Sequence, residues 1–102
     1  MDEETARVAR CFSDAMKRVF QAKTILFGSR SRGDHFKASD YDFLVISEKF
    51  KGIPFIERPS LVFEHWSEEQ DIEAILYTPE EFKAKQAEHG LVRRAVAEGI
   101  VL

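Results

Sequence analysis

Residues 25–46 leave the chain few ways to fold. They read Ile-Leu-Phe-Gly-Ser-Arg-Ser-Arg-Gly-Asp-His-Phe-Lys-Ala-Ser-Asp-Tyr-Asp-Phe-Leu-Val-Ile. The spacing predicts a strand over 23–27, a glycine turn at Gly28-Ser29, a short helix or turn over 29–34, a polar loop over 34–39 and a second strand over 41–47. In that second strand Asp42, Leu44 and Ile46 share one face and Tyr41, Phe43 and Val45 the other. A strand apolar on both faces is a covered, central strand. Asp40 and Asp42 interrupt the apolar pattern at its mouth. Residues two apart on a strand project to the same side, so the carboxylates stand together. Like charges that close resist ionising unless a cation lies between them. Mg²⁺ suits such a pair, because it takes oxygen ligands and borrows the rest of its shell from water and substrate phosphates. Gly28 lets the backbone approach a ligand closely, and N–H groups at a helix start attract anions.

The rest of the chain supplies cover for these strands. Residues 2–21 read as an amphipathic helix with Val8, Cys11, Phe12, Ala15, Val19 and Phe20 in one apolar stripe. That assigns Cys11 to the core as a packed thiol. Residues 59–68 read as a second amphipathic helix, with Pro59 in its first turn and Val62, Phe63 and Trp66 facing inward. Residues 71–77 form a third strand on which Asp71, Glu73, Ile75 and Tyr77 share a face. Thr78-Pro79-Glu80-Glu81 is a capping box, opening a helix that runs to about His89 and stops at Gly90. Leu91–Glu98 forms a further short helix with Leu91, Val92, Ala95 and Val96 inward, ended by Gly99. Residues 100–102 are too short to stand alone and fit a sheet edge or a partner.

Composition sets limits on this picture. The chain has 102 residues and a net charge of −3, with eight Lys/Arg against five Asp/Glu in 1–37 and seven against thirteen in 38–102. That is one domain's length. An acidic chain argues against bulk nucleic-acid binding by charge alone. There is no apolar run of membrane-spanning length and no leader pattern. The single cysteine cannot form an internal disulfide. These features fit a cytoplasmic location and leave the oligomeric state open.

Gly28-Ser29, ten intervening residues and Asp40-Tyr41-Asp42 resemble the signature of the nucleotidyltransferase superfamily with the DNA polymerase β fold. The run Gly28-Ser29-Arg30-Ser31-Arg32-Gly33 with Ser39-Asp40-Tyr41-Asp42 is similar to that of the minimal nucleotidyltransferases of prokaryotes, with serine at 31 where alanine is commoner. The resemblance runs from residue 23 to the end. It implies an α/β (α+β) fold, with a polymerase β-like core of three or four strands in a small mixed sheet flanked by helices, and residues 1–102 as a single minimal nucleotidyltransferase domain. It implies Mg²⁺, as two ions, held by Asp40, Asp42 and a third carboxylate on the neighbouring strand. That carboxylate is Glu73, where aspartate is usual in the family. Asp71, on the same predicted face, is the alternative. Gly28, Ser29 and Arg30 bind the nucleotide in this reading, and Arg32 can add charge.

The activity so implied is transfer of a nucleoside monophosphate, AMP from the nucleoside triphosphate ATP, to a hydroxyl. In the toxin–antitoxin pairing that the resemblance suggests, the acceptor is a tyrosine of a HEPN-domain toxin partner, and the chain is the antitoxin. The alternative is a catalytically silent antitoxin that neutralises its partner by binding. Transfer to a small molecule is a third reading, disfavoured because no acceptor-binding domain is visible.

Overall fold

The computed structural model describes residues 1–102. Helix α1 (Glu3–Phe20) leads into strand β1 (Lys23–Phe27), a single-turn helix α2 (Ser29–Arg32) and strand β2 (Tyr41–Ile46). Two 3-10 turns and the short helix α3 (Pro59–Phe63) follow. Strand β3 (Ile72–Tyr77), helices α4 (Pro79–Ala87) and α5 (Leu91–Glu98) and the two-residue strand β4 (Ile100–Val101) complete the chain. The sheet runs β3-β2-β1-β4. β1 is antiparallel to β2 and to β4, and β2 is parallel to β3. This is the expected mixed α+β architecture with a four-stranded sheet. The tail at 100–102 does add to an edge, with Leu26 opposite Ile100.

The apolar alternation of β2 splits the core in two. Tyr41, Phe43 and Val45 face α1, packing with Val8, Ala9, Phe12 and Met16 and with Phe50 and Val62. Leu44 and Ile46 face α5, packing with Ile25, Phe27, Val92 and Ala95. Phe12 stacks on Phe43 at 4.5 Å, and Trp66 meets Phe12 edge-on at 5.7 Å. Each large side chain so buried contributes about 1.5–3 kcal/mol of hydrophobic stabilisation. At the start of α1, the Asp2 carboxylate accepts the Thr5 backbone N–H at 2.7 Å, the cap that an N-terminal aspartate supplies.

Four expectations need correction. Cys11 is exposed. The buried stripe of α1 runs through Thr5, Val8, Ala9, Phe12 and Met16, and Cys11 lies about 100° round from Phe12; Val19 is exposed as well. The 59–68 helix stops at Phe63, which points outward at 51% exposure. Trp66 reaches the core from the turn beyond, with its indole N–H donating to the Gln70 carbonyl at 2.7 Å. That bond satisfies the polar atom of a partly buried indole. Leu91 is exposed, and only Val92 and Ala95 of α5 are fully buried. Helix α4 ends at Ala87 with Glu88 extended, so Gly90 begins α5 instead of closing α4.

Helix α4 buries no residue completely, so its ends hold it. The capping box is formed: Thr78 Oγ1 accepts the Glu81 N–H at 3.2 Å and Glu81 accepts the Thr78 N–H at 2.8 Å. Glu81 also takes both terminal nitrogens of Arg58. Arg58 is 4% exposed and donates besides to the carbonyls of Ile53 and Leu76. The Arg58 guanidinium and the Thr78 N–H pull the Glu81 carboxyl down from 4.5 to about 2. A depressed carboxylate stabilises the fold above its ordinary pKa, and that stability is lost as pH falls towards the folded value. Arg58→Ala should therefore cost about 2–4 kcal/mol by urea denaturation at pH 7. The cost of Glu81→Gln, measured the same way, should shrink as pH falls from 4.5 towards 2.

Candidate active site at the end of the sheet

The pairing of β2 brings three of the sequence-predicted residues together. Asp42 lies opposite Phe27 of β1 on one side and opposite Glu73 of β3 on the other. Gly28 follows Phe27 directly, with φ 76° and ψ −160°. A Cβ built on Gly28 would collide with Asp42 Oδ2 and lie 3.1 Å from its Cγ. Glycine is thus required twice over, by backbone conformation and by the carboxylate packed against it. Asp40 stands two residues before Asp42 at the mouth of the strand, exposed, while Asp42 is half-buried.

The electrostatics follow from this crowding. Burial, a hydrogen bond with Glu73 and the charges of Glu73 and Asp40 push the Asp42 carboxyl up from 3.8 to about 7. Arg32 is the cation that opposes this. It is itself held by Asp34 at 3.0 Å and by Glu98 at 3.7 Å. The donors are all carboxylate oxygens, the hard ligands Mg²⁺ prefers. No three His, Cys, Asp or Glu side chains are closed into a ready-made cage. The fit rests on the strained carboxylate: a cation beside Asp42 would relieve the repulsion that holds its proton.

Arg30 does not take the role expected of it. Its side chain turns inward and is 1% exposed. Its guanidinium donates to Thr5 Oγ1 at 2.9 Å and to the carbonyls of Lys37 at 2.8 Å and Ser39 at 3.1 Å, and it lies 4.0 Å over the Tyr41 ring. A guanidinium so committed cannot reach a phosphate. Arg32, two residues on and about 200° round the turn, faces the site instead. The helical period already says that Arg30 and Arg32 cannot share a side; the packing of α2 decides which one faces out. Ser29 opens α2 beside Gly28 and is partly exposed. Asp71 lies just before β3, where its carbonyl accepts the Tyr41 N–H at 2.9 Å. It lines, with Lys37, Ala38, Asp40, Glu69 and Gln70, an open recess of about 410 Å³ beside Asp40.

A family model described as a nucleotidyltransferase domain matches residues 8–102. A crystal structure from Sulfolobus solfataricus, of a protein provisionally assigned as a nucleotidyltransferase, superposes with a TM-score of 0.65 at 19% identity, covering 97% of this chain and 82% of that one. At that identity the likeness speaks for the fold. No curated protein matches the chain in sequence. No helix is long and apolar enough to cross a membrane.

The raised Asp42 carboxyl has a consequence for stability. A carboxyl whose folded pKa lies above its unfolded value costs stability as pH rises past 3.8, and the cost is complete once pH exceeds about 7. Asp42→Asn removes that charge at nearly constant volume. In thermal melts without metal at pH 8, the variant should melt higher than the wild type by on the order of 4 °C, or about 1 kcal/mol after solvent screening. The gap should close as pH falls towards 4.

Proposed function

Because the chain belongs to the nucleotidyltransferase domain family, we propose that it transfers AMP from ATP to a hydroxyl at the site formed by Gly28, Asp42 and Glu73. The observation that carries this reading is the Asp42 carboxyl, wedged between Gly28 and Glu73 and pushed up to about 7. A fold that merely needed a polar strand end would have no cause to retain such repulsion. Asp40, Asp42 and Glu73 are the residues that would hold Mg²⁺, as two ions. When bound, Mg²⁺ supplies charge neutralisation on the phosphate oxygens.

The chain's own groups divide the remaining work. Gly28 leaves room for the Asp42 carboxylate against the backbone, and the Ser29 hydroxyl and Arg32 guanidinium bind the phosphate oxygens. A Glu73 carboxylate oxygen takes the proton of the attacking hydroxyl. The hydroxyl oxygen bonds to the α-phosphorus. The bond from that phosphorus to the bridging oxygen breaks, and diphosphate leaves with the electron pair. Catalysis of this kind is positioning and electrostatics. The minimal-family resemblance makes the acceptor a tyrosine of a HEPN-domain toxin, with this chain as antitoxin. The adjacent exposed side chains of Phe55 and Ile56 support a protein partner.

A silent, binding-only antitoxin is the second reading, favoured by one observation: the third carboxylate is a glutamate on an exposed edge strand. Intact-mass spectrometry of the partner separates the two. Wild-type protein with Mg-ATP should add one or more AMP units to the partner. Asp42→Asn should still bind the partner yet slow transfer by more than about a hundredfold. Glu73→Gln should slow it too, as the lost proton acceptor. No mass gain with the wild type, and equal neutralisation by wild type and Asp42→Asn, would leave only the binder.

A further inference from the structure

A second recess lies on the other flank of Asp42, against α5. It has a volume of about 170 Å³ and is lined by Phe27, Gly28, Arg32, Arg94, Ala95 and Glu98, with Leu91 at its rim. It shares no residue with the recess beside Asp40. Along the end of the sheet the order is therefore fixed. The α5 recess comes first, at the end of β1; Asp42 comes next; the Asp40–Asp71 recess lies at the mouths of β2 and β3.

The two recesses differ in charge. The one beside Asp40 carries Asp40, Glu69 and Asp71 against Lys37. The one against α5 carries Arg32 and Arg94 against Glu98. Glu98 is already paired with Arg32 at 3.7 Å. Arg94, one turn before Glu98, has no carboxylate within ion-pair distance in the fold. Its neighbour Arg93 turns instead to His89 at 3.2 Å. An exposed arginine with no internal partner, lining a recess that touches the glycine turn, has a charge free for a ligand.

In-line displacement at phosphorus puts the attacking and leaving oxygens on opposite sides. The polyanionic leaving group belongs on the cationic flank and the acceptor hydroxyl on the acidic one. We infer that Arg94 binds the terminal phosphates of the nucleoside triphosphate, and the diphosphate that leaves, in the recess between α5 and Gly28. This rests on the transfer reading above and assigns its polarity: triphosphate tail towards α5, acceptor towards Asp40 and Asp71. Arg32 completes the recess by exchanging part of its contact with Glu98 for phosphate oxygen.

Calorimetric titration tests this without turnover. Mg-ATP, Mg-pyrophosphate and AMP are titrated into the wild type and the Arg94→Ala, Arg94→Lys and Arg93→Ala variants. Arg94 is exposed, so its variants should fold as the wild type does. Arg94→Ala should weaken Mg-ATP and Mg-pyrophosphate about tenfold or more and leave AMP unchanged. Arg94→Lys should recover part of the loss, since it keeps the charge and loses the fork. Arg93→Ala should bind like the wild type. Wild-type binding of Mg-ATP with undiminished affinity in Arg94→Ala overturns the subsite alone. An equal loss for AMP in Arg94→Ala, or a like loss in Arg93→Ala, also overturns it, because the effect would then not belong to the terminal phosphates. Absence of Mg-ATP binding by the wild type overturns the transfer reading and the subsite together.

Discussion

The pairing of β2 with both its neighbours decides where Asp42 stands. Antiparallel register sets it opposite Phe27, and parallel register sets it opposite Glu73. A slip of one residue would flip every side chain of the strand. The carboxylate would then turn into the cluster of Phe12, Phe43 and Met16 under α1, and Phe43 would turn out of it. Burying a carboxylate there unpaired costs far more than the fold can offset. The alternation that builds two apolar cores therefore also fixes the site. Asp42 is the point where that apolar alternation ends, held on the α5 side of the sheet beside the glycine turn.

The approach to Asp40 is fixed by different means, because the connection from α2 to β2 has no apolar anchor. Phe36, its one large apolar residue, is 82% exposed. Polar contacts hold it instead. Arg30 ties down the Lys37 and Ser39 carbonyls, and the Gln70 amide adds a bond to Lys37 O at 3.2 Å. His35 Nε2 meets Asp2 Oδ2 at 2.6 Å. Arg30 and Thr5 join this connection to the first turn of α1. A buried guanidinium is a costly device whose loss strands several carbonyls. Here it sets the direction from which the chain enters β2, and hence the position of Asp40 relative to Asp42.

Much of this was legible in the sequence. β1 and α5 have the bounds that the pattern predicts, β2 and β3 lie within one residue of them, and the capping box at Thr78 and Glu81 forms as written. The close approach at Gly28 follows from residue type, and a carboxylate on the strand beside Asp42 is what the family resemblance implies; Glu73 stands opposite Asp42. The misreadings share one cause. Periodicity gives spacing, and the phase of a helix or turn is set by what packs on it. Cys11 fits an apolar stripe, but the sheet meets α1 through Thr5 and Ala9 instead. Trp66 continues a helical spacing from Pro59 but is reached by a turn, where its indole N–H donates to the Gln70 carbonyl. Arg30 and Arg32 are equivalent in a motif and opposite in space. Arg94 carries no local signal at all. Its place beside Gly28 depends on α5 returning from the far end of the chain to pack on β1.

That the carboxylates at the end of the sheet hold a cation together with a nucleotide is tested most directly by electron paramagnetic resonance of Mn²⁺, which loses its sharp free-ion signal when bound. The wild type should bind Mn²⁺ weakly alone and more tightly with ATP, because the phosphates complete the metal's shell. The double variant Asp40→Asn/Asp42→Asn should lose that ATP-dependent gain while keeping its fold by circular dichroism. Metal and nucleotide binding in the folded double variant equal to the wild type's would contradict a site built on Asp40 and Asp42.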